Sequence, residues 1–316
     1  MRVENVEKPI PTDDEVLIRL EAVSLNRSDW ENLIGSPLYT RIGALRKPRH
    51  PILGSDIAGR VETVGGNVKD LKPGDAVFGD IMWQHMSGFA EYVCARPRWL
   101  ARVPPGMTFA EAAAMPQSAV IALQGIRDKG RVQPGQQVLI NGAGGGGGAF
   151  AIQLAKSYGA VVTGVDNAGK FDFMRAMGAD HVLDYTQQDY TRTGKQYDFV
   201  LDLIAHRSVF AYRRALKPNG RLYVVGGSVA TFFQILILGP LIRRMSGRDI
   251  RVLAVRTNLK DMQYMAELYA CGKLRPVIDR YFPLSKVPDA LRYLGEGHAK
   301  GKVIITMDPD PSRGTP

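Results

Sequence analysis

The residues with the clearest chemical meaning are the glycines at positions 142 and 144–148. They follow an apolar segment, 137–140, that we predict to be a buried strand, and they lead into an amphipathic helix predicted at 147–158. Glycines in this position permit a tight turn and let backbone N–H groups approach an anion without a Cβ in the way. A flexible linker would not stand between a strand and a helix. The pattern therefore indicates binding of a dinucleotide pyrophosphate.

The elements that must position this loop divide the chain into two parts. Up to about residue 106, short alternating segments such as 15–20 and 57–64 are separated by turns, which is typical of a β-barrel or sandwich. From residue 108, strands and helices alternate, which predicts a parallel sheet covered on both faces. Further strands are expected at 89–94 and 252–255, a helix at 259–270 and a closing strand at 302–306.

The composition is that of a globular protein with an excess of positive charge. The 316 residues are 45% hydrophobic and carry a formal net charge of +10. Basic residues cluster at 41–49 and 243–256, but neither cluster has the interleaved aromatic residues of a single-strand binder. We therefore assign the charge to a solvated surface and to attraction for an anionic dinucleotide, and we expect no nucleic-acid partner.

The cysteine and hydropathy patterns exclude other classes of protein. Cys94 and Cys271 are the only cysteines, which excludes a disulfide framework and a structural zinc site. The best apolar run, 232–242, is short for a membrane span and is broken by Gly239 and Pro240. We expect it to cover a subunit interface or the substrate cleft, with no membrane partner. No signal peptide is visible, so a cytoplasmic location is the default expectation.

Several motifs resemble the medium-chain dehydrogenase/reductase superfamily, in its zinc-independent, quinone oxidoreductase-like branch. They extend over nearly the whole chain and comprise residues 24–29, 53–59, 72–75, 137–185 and 301–304. The resemblance implies an α/β fold with a Rossmann doubly wound parallel sheet at 108–255. It also implies a GroES-like, β-barrel-type substrate domain at 1–107 and 256–316, an active site in the cleft between the two domains, and a homodimer.

The resemblance also singles out individual positions in the chain. Residues 2–6 match a strand of the family. A branched apolar residue usually stands at the position of Gly147, where glycine costs about 1 kcal/mol of helix propensity. Gly226 and Gly227 match the place where the family passes its backbone against the nicotinamide, although they also suit a turn at the end of a strand.

The resemblance bears on the metal and on the chemistry as well. Zinc-dependent relatives carry a cysteine and a histidine at the positions of Asn26 and Ser55, so we expect no metal. Without a Lewis acid, hydride transfer to a quinone or an enone is easier than alcohol oxidation, because conjugation spreads the developing charge. Asn26 and Asp29 are the catalytic candidates. Asn26 would hydrogen-bond the substrate oxygen or the nicotinamide ribose, and Asp29 is either a proton relay or a capping carboxylate.

The cofactor is predicted to be NADH or NADPH. Asp166 ends the second strand of the parallel sheet, where a carboxylate binds the ribose 2′-hydroxyl of NAD and repels the 2′-phosphate of NADP. The zinc-free branch often uses NADPH, and Asn167 and Lys170 would then hold the phosphate. An ion pair between the phosphate and one exposed lysine contributes about 1 kcal/mol or less, which does not offset the repulsion from Asp166. We therefore favour NADH slightly. The cofactor-binding candidates are Ala143, Gly145, Gly146, Gly147, Asp166, Asn167, Lys170, Tyr185, Gly226 and Gly227.

The predicted activity is NAD(P)H-dependent, zinc-independent reduction of quinones or α,β-unsaturated carbonyls by hydride transfer. Two alternatives stay open. The first is a 2-enoyl thioester reductase, in which the basic residues at 41–49 receive a phosphorylated carrier. The second is a cofactor-binding structural or RNA-binding protein without enzyme activity. Turnover of NAD(P)H with a panel of quinones separates them.

Overall fold

The computed structural model of the chain describes residues 1–41 and 50–307. Its strands are β1 (Val16–Ser24), β2 (Asp56–Val64), β3 (Ala76–Asp80), β4 (Tyr92–Ala95), β5 (Leu100–Arg102), β6 (Gln137–Asn141), β7 (Val161–Asp166), β8 (His181–Asp184), β9 (Tyr197–Asp202), β10 (Leu216–Val224), β11 (Asp249–Val252), β12 (Ile278–Pro283) and β13 (Lys302–Thr306). Its helices are α1 (Arg27–Ile34), α2 (Phe109–Ala113), α3 (Pro116–Leu123), α4 (Gly146–Ser157), α5 (Phe171–Ala176), α6 (Val209–Arg214), α7 (Val229–Ser246), α8 (Leu259–Ala270) and α9 (Val287–Gly295).

The strands β6 to β11 form a parallel sheet in the order β11-β10-β9-β6-β7-β8. Numbered within this sheet and read from β8, the order is 3-2-1-4-5-6, which is that of the Rossmann fold. The strand order reverses between β6 and β9, and a parallel sheet of this kind binds its ligand at the carboxyl ends of the strands beside that point. The predicted doubly wound sheet is confirmed.

The remaining strands form a second sheet in the order β12-β13-β1-β2-β3-β5, and β4 also pairs with β1. The pairs are antiparallel except β12 with β13. One face of this sheet encloses its own apolar core. On the other face, Ala22, Ala58 and Phe78 pack with the alanines of α2. β1 is therefore buried along most of its length, whereas the sequence predicted burial of alternate residues only.

Three local predictions are wrong. Residues 2–6 are exposed and form no strand, because no described strand of either sheet pairs with them. The edge strand β11 begins at Asp249, not at residue 252, because its residues pair one to one with residues 221–224 of β10. β4 begins at Tyr92, since Phe89 donates its N–H to Leu53 O at 2.8 Å outside the sheet.

Gly239 and Pro240 do not break the apolar run at 232–242, although the sequence predicted that they would. The whole run lies within the 18-residue helix α7. Ser228 Oγ accepts from Thr231 N–H at 3.1 Å at its start. Gly239 packs closely on β11, where a Cβ would lie 2.6 Å from Ile250 O. This close packing helps to offset the hydrogen bond that Pro240 cannot donate.

Within the described part of the chain, α7 is the one helix long and apolar enough to cross a membrane, and 22% of it is buried. Phe233, Ile237, Leu241 and Met245 recur every fourth residue, and each is more than half exposed. Exposed apolar rows of this kind are typical of surfaces that contact another protein or a membrane.

Candidate active site

The glycine run forms the turn between β6 and α4. Gly142 has φ of +80°, and its N–H and that of Ala143 donate to Val165 O at 3.0 and 3.1 Å. A Cβ on Gly148 would lie 2.3 Å from Gly142 O, so helix and turn are in backbone contact there. A Cβ on Gly145 would meet no described atom nearer than 3.7 Å. The open space over Gly145, at the N-terminus of α4, therefore fits a pyrophosphate.

Asp166 lies beside this loop at the carboxyl end of β7. Its Oδ2 accepts from Gly144 N–H at 3.0 Å, and its Oδ1 accepts from Asn167 N–H at 2.9 Å. Lys170 Nζ is 3.5 Å from Oδ1, and both side chains of this ion pair are less than a tenth exposed. The structure thus brings together Asp166, which was expected to favour NAD, and Lys170, which was expected to favour NADP. The lysine offsets part of the carboxylate's charge.

Gly226 and Gly227 follow β10, and both have positive φ, of +68° and +108°. A Cβ on Gly227 would lie 2.1 Å from Ala205 O, whereas the nearest atom to one on Gly226 is Leu203 O at 3.6 Å. Gly227 is thus required by close backbone packing, and Gly226 leaves open space at the carboxyl end of the sheet. Tyr185 follows β8, donates its N–H to Asp166 O at 3.3 Å and has a 52% exposed side chain.

Asn26 and Asp29 lie at the start of α1 and are both buried. Asp29 Oδ2 accepts from Asn26 N–H at 2.8 Å, and Oδ1 accepts from Gly54 N–H at 3.1 Å. Burial raises the pKa of Asp29 to about 6, against the effect of these two N–H donors. Because both carboxyl oxygens are held by backbone, the geometry supports the capping role of Asp29 over the proton relay.

Lys302 is the buried centre of the site. From the first position of β13, its Nζ donates to Asn26 Oδ1 at 2.6 Å, to Leu25 O at 3.0 Å and to Ser118 Oγ at 3.2 Å. Asp56 Oδ2 lies 3.6 Å away. Burial lowers the pKa of Lys302 and raises that of Asp56, and the attraction between the two groups opposes both shifts.

A further buried carboxylate joins the two domains. Asp80, at the end of β3, accepts from Thr257 Oγ1 at 2.8 Å and from Met82 N–H at 2.9 Å. Burial raises the pKa of Asp80. Asp56 is held from the other side, since it accepts from Gln117 N–H at 3.1 Å. The paired residues Asp56 and Asp80 of the second sheet are therefore bonded to Gln117 and Thr257, which precede and follow the strands of the Rossmann sheet in the chain.

Sequence reasoning missed Lys302, Asp56 and Asp80 as site residues. Lys302 carried a recognisable signal, because it is the one charged residue of β13 and opens an otherwise apolar strand. Asp56 opens β2 in a similar way, but that strand also carries Arg60 and Glu62, so its signal is weaker. A charge in that position needs a buried partner. Nothing local to Asp80 or Thr257 indicates that they meet, because 177 residues separate them in the chain.

The donor set around Asn26 does not fit a zinc ion. Asn26 and Ser55 offer an amide and a hydroxyl where zinc prefers thiolate or imidazole, and the Lys302 ammonium already holds the Asn26 oxygen. No group of three or more His, Cys, Asp or Glu side chains suited to a metal occurs within residues 1–41 and 50–307.

The structure describes the first of the two basic clusters only in part. Arg41 Nε donates to Gly35 O at 2.6 Å, and Arg46, Lys47 and Arg49 lie outside the described residues. In the second cluster, Arg243 and Arg251 both pair with Asp249, at 3.8 and 2.8 Å.

Known proteins resemble this chain in sequence and in fold. Residues 12–125 match the family model for the alcohol dehydrogenase GroES-like domain, and residues 177–305 match the model for zinc-binding dehydrogenase. The chain is 32% identical over 311 residues to 2-methylene-furan-3-one reductase of Solanum lycopersicum, which covers 95% of this chain and 74% of that protein. It is 30% identical, with the same coverage, to the chloroplastic NADPH-dependent alkenal/one oxidoreductase of Arabidopsis thaliana.

Among solved structures, the quinone oxidoreductase from Coxiella burnetii superposes with a TM-score of 0.84 at 28% identity, over 96% of this chain and 93% of that one. The relatives are oxidoreductases, and the glycine loop of this chain fits a nicotinamide dinucleotide. The predicted enzyme class and family are confirmed. The chain is an NAD(P)H-dependent oxidoreductase and belongs to the medium-chain dehydrogenase/reductase superfamily, in its zinc-independent, quinone oxidoreductase-like branch.

Proposed function

We propose that the enzyme reduces quinones or α,β-unsaturated carbonyls. The observation that carries the proposal is the buried Asn26–Lys302 contact of 2.6 Å, a fixed polar pair in a site whose donors do not suit a metal. A conjugated acceptor needs less electrophilic help than a simple carbonyl, because its developing charge is delocalised. The names of the relatives, an enone reductase, an alkenal/one oxidoreductase and a quinone oxidoreductase, support this substrate class.

The bound nicotinamide supplies the hydride, and the protein supplies position. The loop of Ala143 and Gly145–Gly147 holds the pyrophosphate, and Gly226 and Gly227 form the floor at the nicotinamide end. Asn26 hydrogen-bonds the substrate oxygen or the nicotinamide ribose. Asp29 fixes the Asn26 backbone through its 2.8 Å hydrogen bond.

Cofactor preference in this proposal is a modest one for NADH. The Asp166 carboxylate is positioned to bind the ribose 2′-hydroxyl, but Lys170 at 3.5 Å reduces its repulsion of a 2′-phosphate. We therefore expect a ratio of kcat/KM values within about tenfold, or ~1.4 kcal/mol. Asp166→Ser should shift the ratio toward NADPH. A wild type that prefers NADPH, with a ratio unmoved by the substitution, would show that Asp166 does not read the ribose.

A steady-state screen tests the reaction. Quinones, enones and 2-enoyl thioesters are offered with NADH and with NADPH, and Gly145→Val is the matched control. A Cβ at position 145 would meet no described atom nearer than Gly142 O at 3.7 Å, so the valine variant should fold and lose cofactor binding by filling the space over the loop. Turnover of quinones or enones is expected. Turnover of thioesters alone would favour the enoyl thioester reductase, and tight cofactor binding without turnover of any acceptor would favour the non-enzymatic alternative.

The remaining assignments are also proposals. We place the domain boundaries at 107/108 and 255/256, so that the Rossmann domain is inserted into the substrate domain. We propose a homodimer with the exposed row of α7 at a subunit interface, no membrane or nucleic-acid partner, no bound zinc, and a cytoplasmic location.

A further inference from the structure

The return strand of the substrate domain lies directly on the phosphate loop. Gly301 donates its N–H to Gly144 O at 3.3 Å and pairs with Gly145 as in a parallel sheet. Lys302, the next residue, is 3% exposed. The backbone of Lys302, in the substrate domain, therefore lies next to the dinucleotide loop of the Rossmann domain.

The stem of Lys302 occupies the space over Gly146. A Cβ on Gly146 would lie 2.5 Å from Lys302 Cδ and 3.1 Å from Cγ, with Gly301 O next at 3.4 Å. The contrast with Gly145, over which space is open to 3.7 Å, is direct. Glycine at 146 is thus required in the cofactor-free protein, before any phosphate is considered.

The far end of the same side chain holds the substrate side of the site. An ammonium has three protons to donate, and Asn26 Oδ1, Leu25 O and Ser118 Oγ account for all three. Because lysine has no acceptor, the Asn26 atom that faces it must be the amide oxygen. Lys302 thereby fixes which way the Asn26 amide is turned.

We infer that Lys302 is a positioning residue that links the phosphate loop to Asn26, and that Gly146 is glycine to let the lysine pass. This inference rests on the proposed role of Asn26 in the reductase site. A shift of the loop at Gly146 must move the stem of Lys302, and the ammonium cannot move without loosening Asn26. Occupancy of the loop by the dinucleotide is in this way coupled to the orientation of the substrate-binding amide.

A double-mutant cycle without cofactor tests the packing half of the inference. Gly146→Ala should lower the Tm of the ligand-free protein by about 4 °C in the wild-type background. In the Lys302→Ala background, where Cγ and Cδ are absent, the same change should cost less than about 1 °C. Equal costs in both backgrounds would overturn the inference. This readout needs no cofactor or substrate, so it stands or fails independently of the proposed function.

Cofactor affinity from the same cycle shows whether the methyl group of Gly146→Ala clashes with Lys302 or with the bound pyrophosphate. The dissociation constant for NADH should rise on Gly146→Ala in the wild type and change less than about twofold in the Lys302→Ala background. An equal loss in both would show that the methyl group blocks the pyrophosphate itself. If NADH binds to neither the wild type nor the variants, the proposed function fails while the stability cycle remains interpretable.

Lys302→Met tests the positioning half, since methionine keeps an apolar stem and removes the ammonium. We expect kcat to fall about ten- to a hundredfold, as a displaced catalytic group requires, with NADH affinity unchanged within about twofold. Lys156→Met is the control: it removes a lysine of α4 that lies away from Asn26 and pairs with Asp180 at 2.8 Å. An unchanged kcat in Lys302→Met, or a parallel loss of kcat and NADH affinity, would overturn the positioning role.

Discussion

Neighbouring glycines in the first turn of α4 should respond in opposite ways to the same substitution. A Cβ on Gly147 would lie 3.4 Å from Leu203 Cδ1 and 4.0 Å from Ser118 O, which are ordinary contacts. Alanine gains up to ~1 kcal/mol of helix propensity over glycine, less in a first turn, and its methyl group packs on Leu203. Gly147→Ala should therefore stabilise the protein by about 1 kcal/mol and raise Tm by ~2 °C.

Gly148→Ala is the matched contrast. Its Cβ would lie 2.3 Å from Gly142 O and 2.4 Å from Ala143 Cα, and these backbone atoms have no rotamer through which to move away. We expect a loss of about 3 kcal/mol or more and a Tm lower by at least ~6 °C. Calorimetric melts of the three cofactor-free proteins, with urea unfolding as a check, measure both effects. Destabilisation by Gly147→Ala comparable with that by Gly148→Ala would refute the geometry of the loop.

Three further outcomes are expected. Elemental analysis should find no stoichiometric zinc and chelators should leave activity unchanged, given Asn26 and Ser55; one zinc per chain with activity lost to chelation would contradict this. Because the pKa of Asp29 is raised from 3.8 to about 6, its contribution to stability is complete below pH 4 and lost as pH rises through 6. In Asp29→Asn the free energy of unfolding should accordingly fall less between pH 4 and pH 6, by up to ~3 kcal/mol. Urea unfolding at each pH measures this fall. The same dependence on pH in the variant and the wild type would refute the raised pKa of Asp29. Ile237→Glu should shift sedimentation toward the monomer, whereas wild-type binding to anionic vesicles that this variant abolishes would place α7 on a membrane.

The parts of the molecule that depend on local sequence could be predicted. The strand, glycine turn and helix at the phosphate loop lie consecutively in the chain, and their steric requirements are expressed in neighbouring residues. Leu259–Ala270 and Lys302–Thr306 were predicted to the residue for the same reason. The position of Asp166 beside the loop could be predicted because its distance from the loop follows from one βαβ unit.

What the sequence could not supply is convergence from distant segments. Lys302 meets Asn26 across 276 positions of the chain, and no pattern within β13 names its acceptors. The reading of Pro240 as a break failed for a related reason. Proline weakens an isolated helix, but the contact of Gly239 with Ile250 is tertiary and helps to hold α7 in place. In both cases the deciding interaction is a packing contact between elements.

Because the strands of the second sheet come from both sides of the Rossmann sheet in sequence, the fold also sets an order of assembly during synthesis. Every strand of the Rossmann sheet, from β6 to β11, leaves the ribosome before β12 and β13 exist. The substrate sheet begins first but has an unfilled place beside β1, which β13 occupies only when it emerges. Domains of nascent chains usually complete themselves from the N-terminus, and here that order is reversed. A chain cut short before β13 would carry the Rossmann sheet but not Lys302, so the Asn26–Lys302 contact exists only in chains whose translation has passed residue 302.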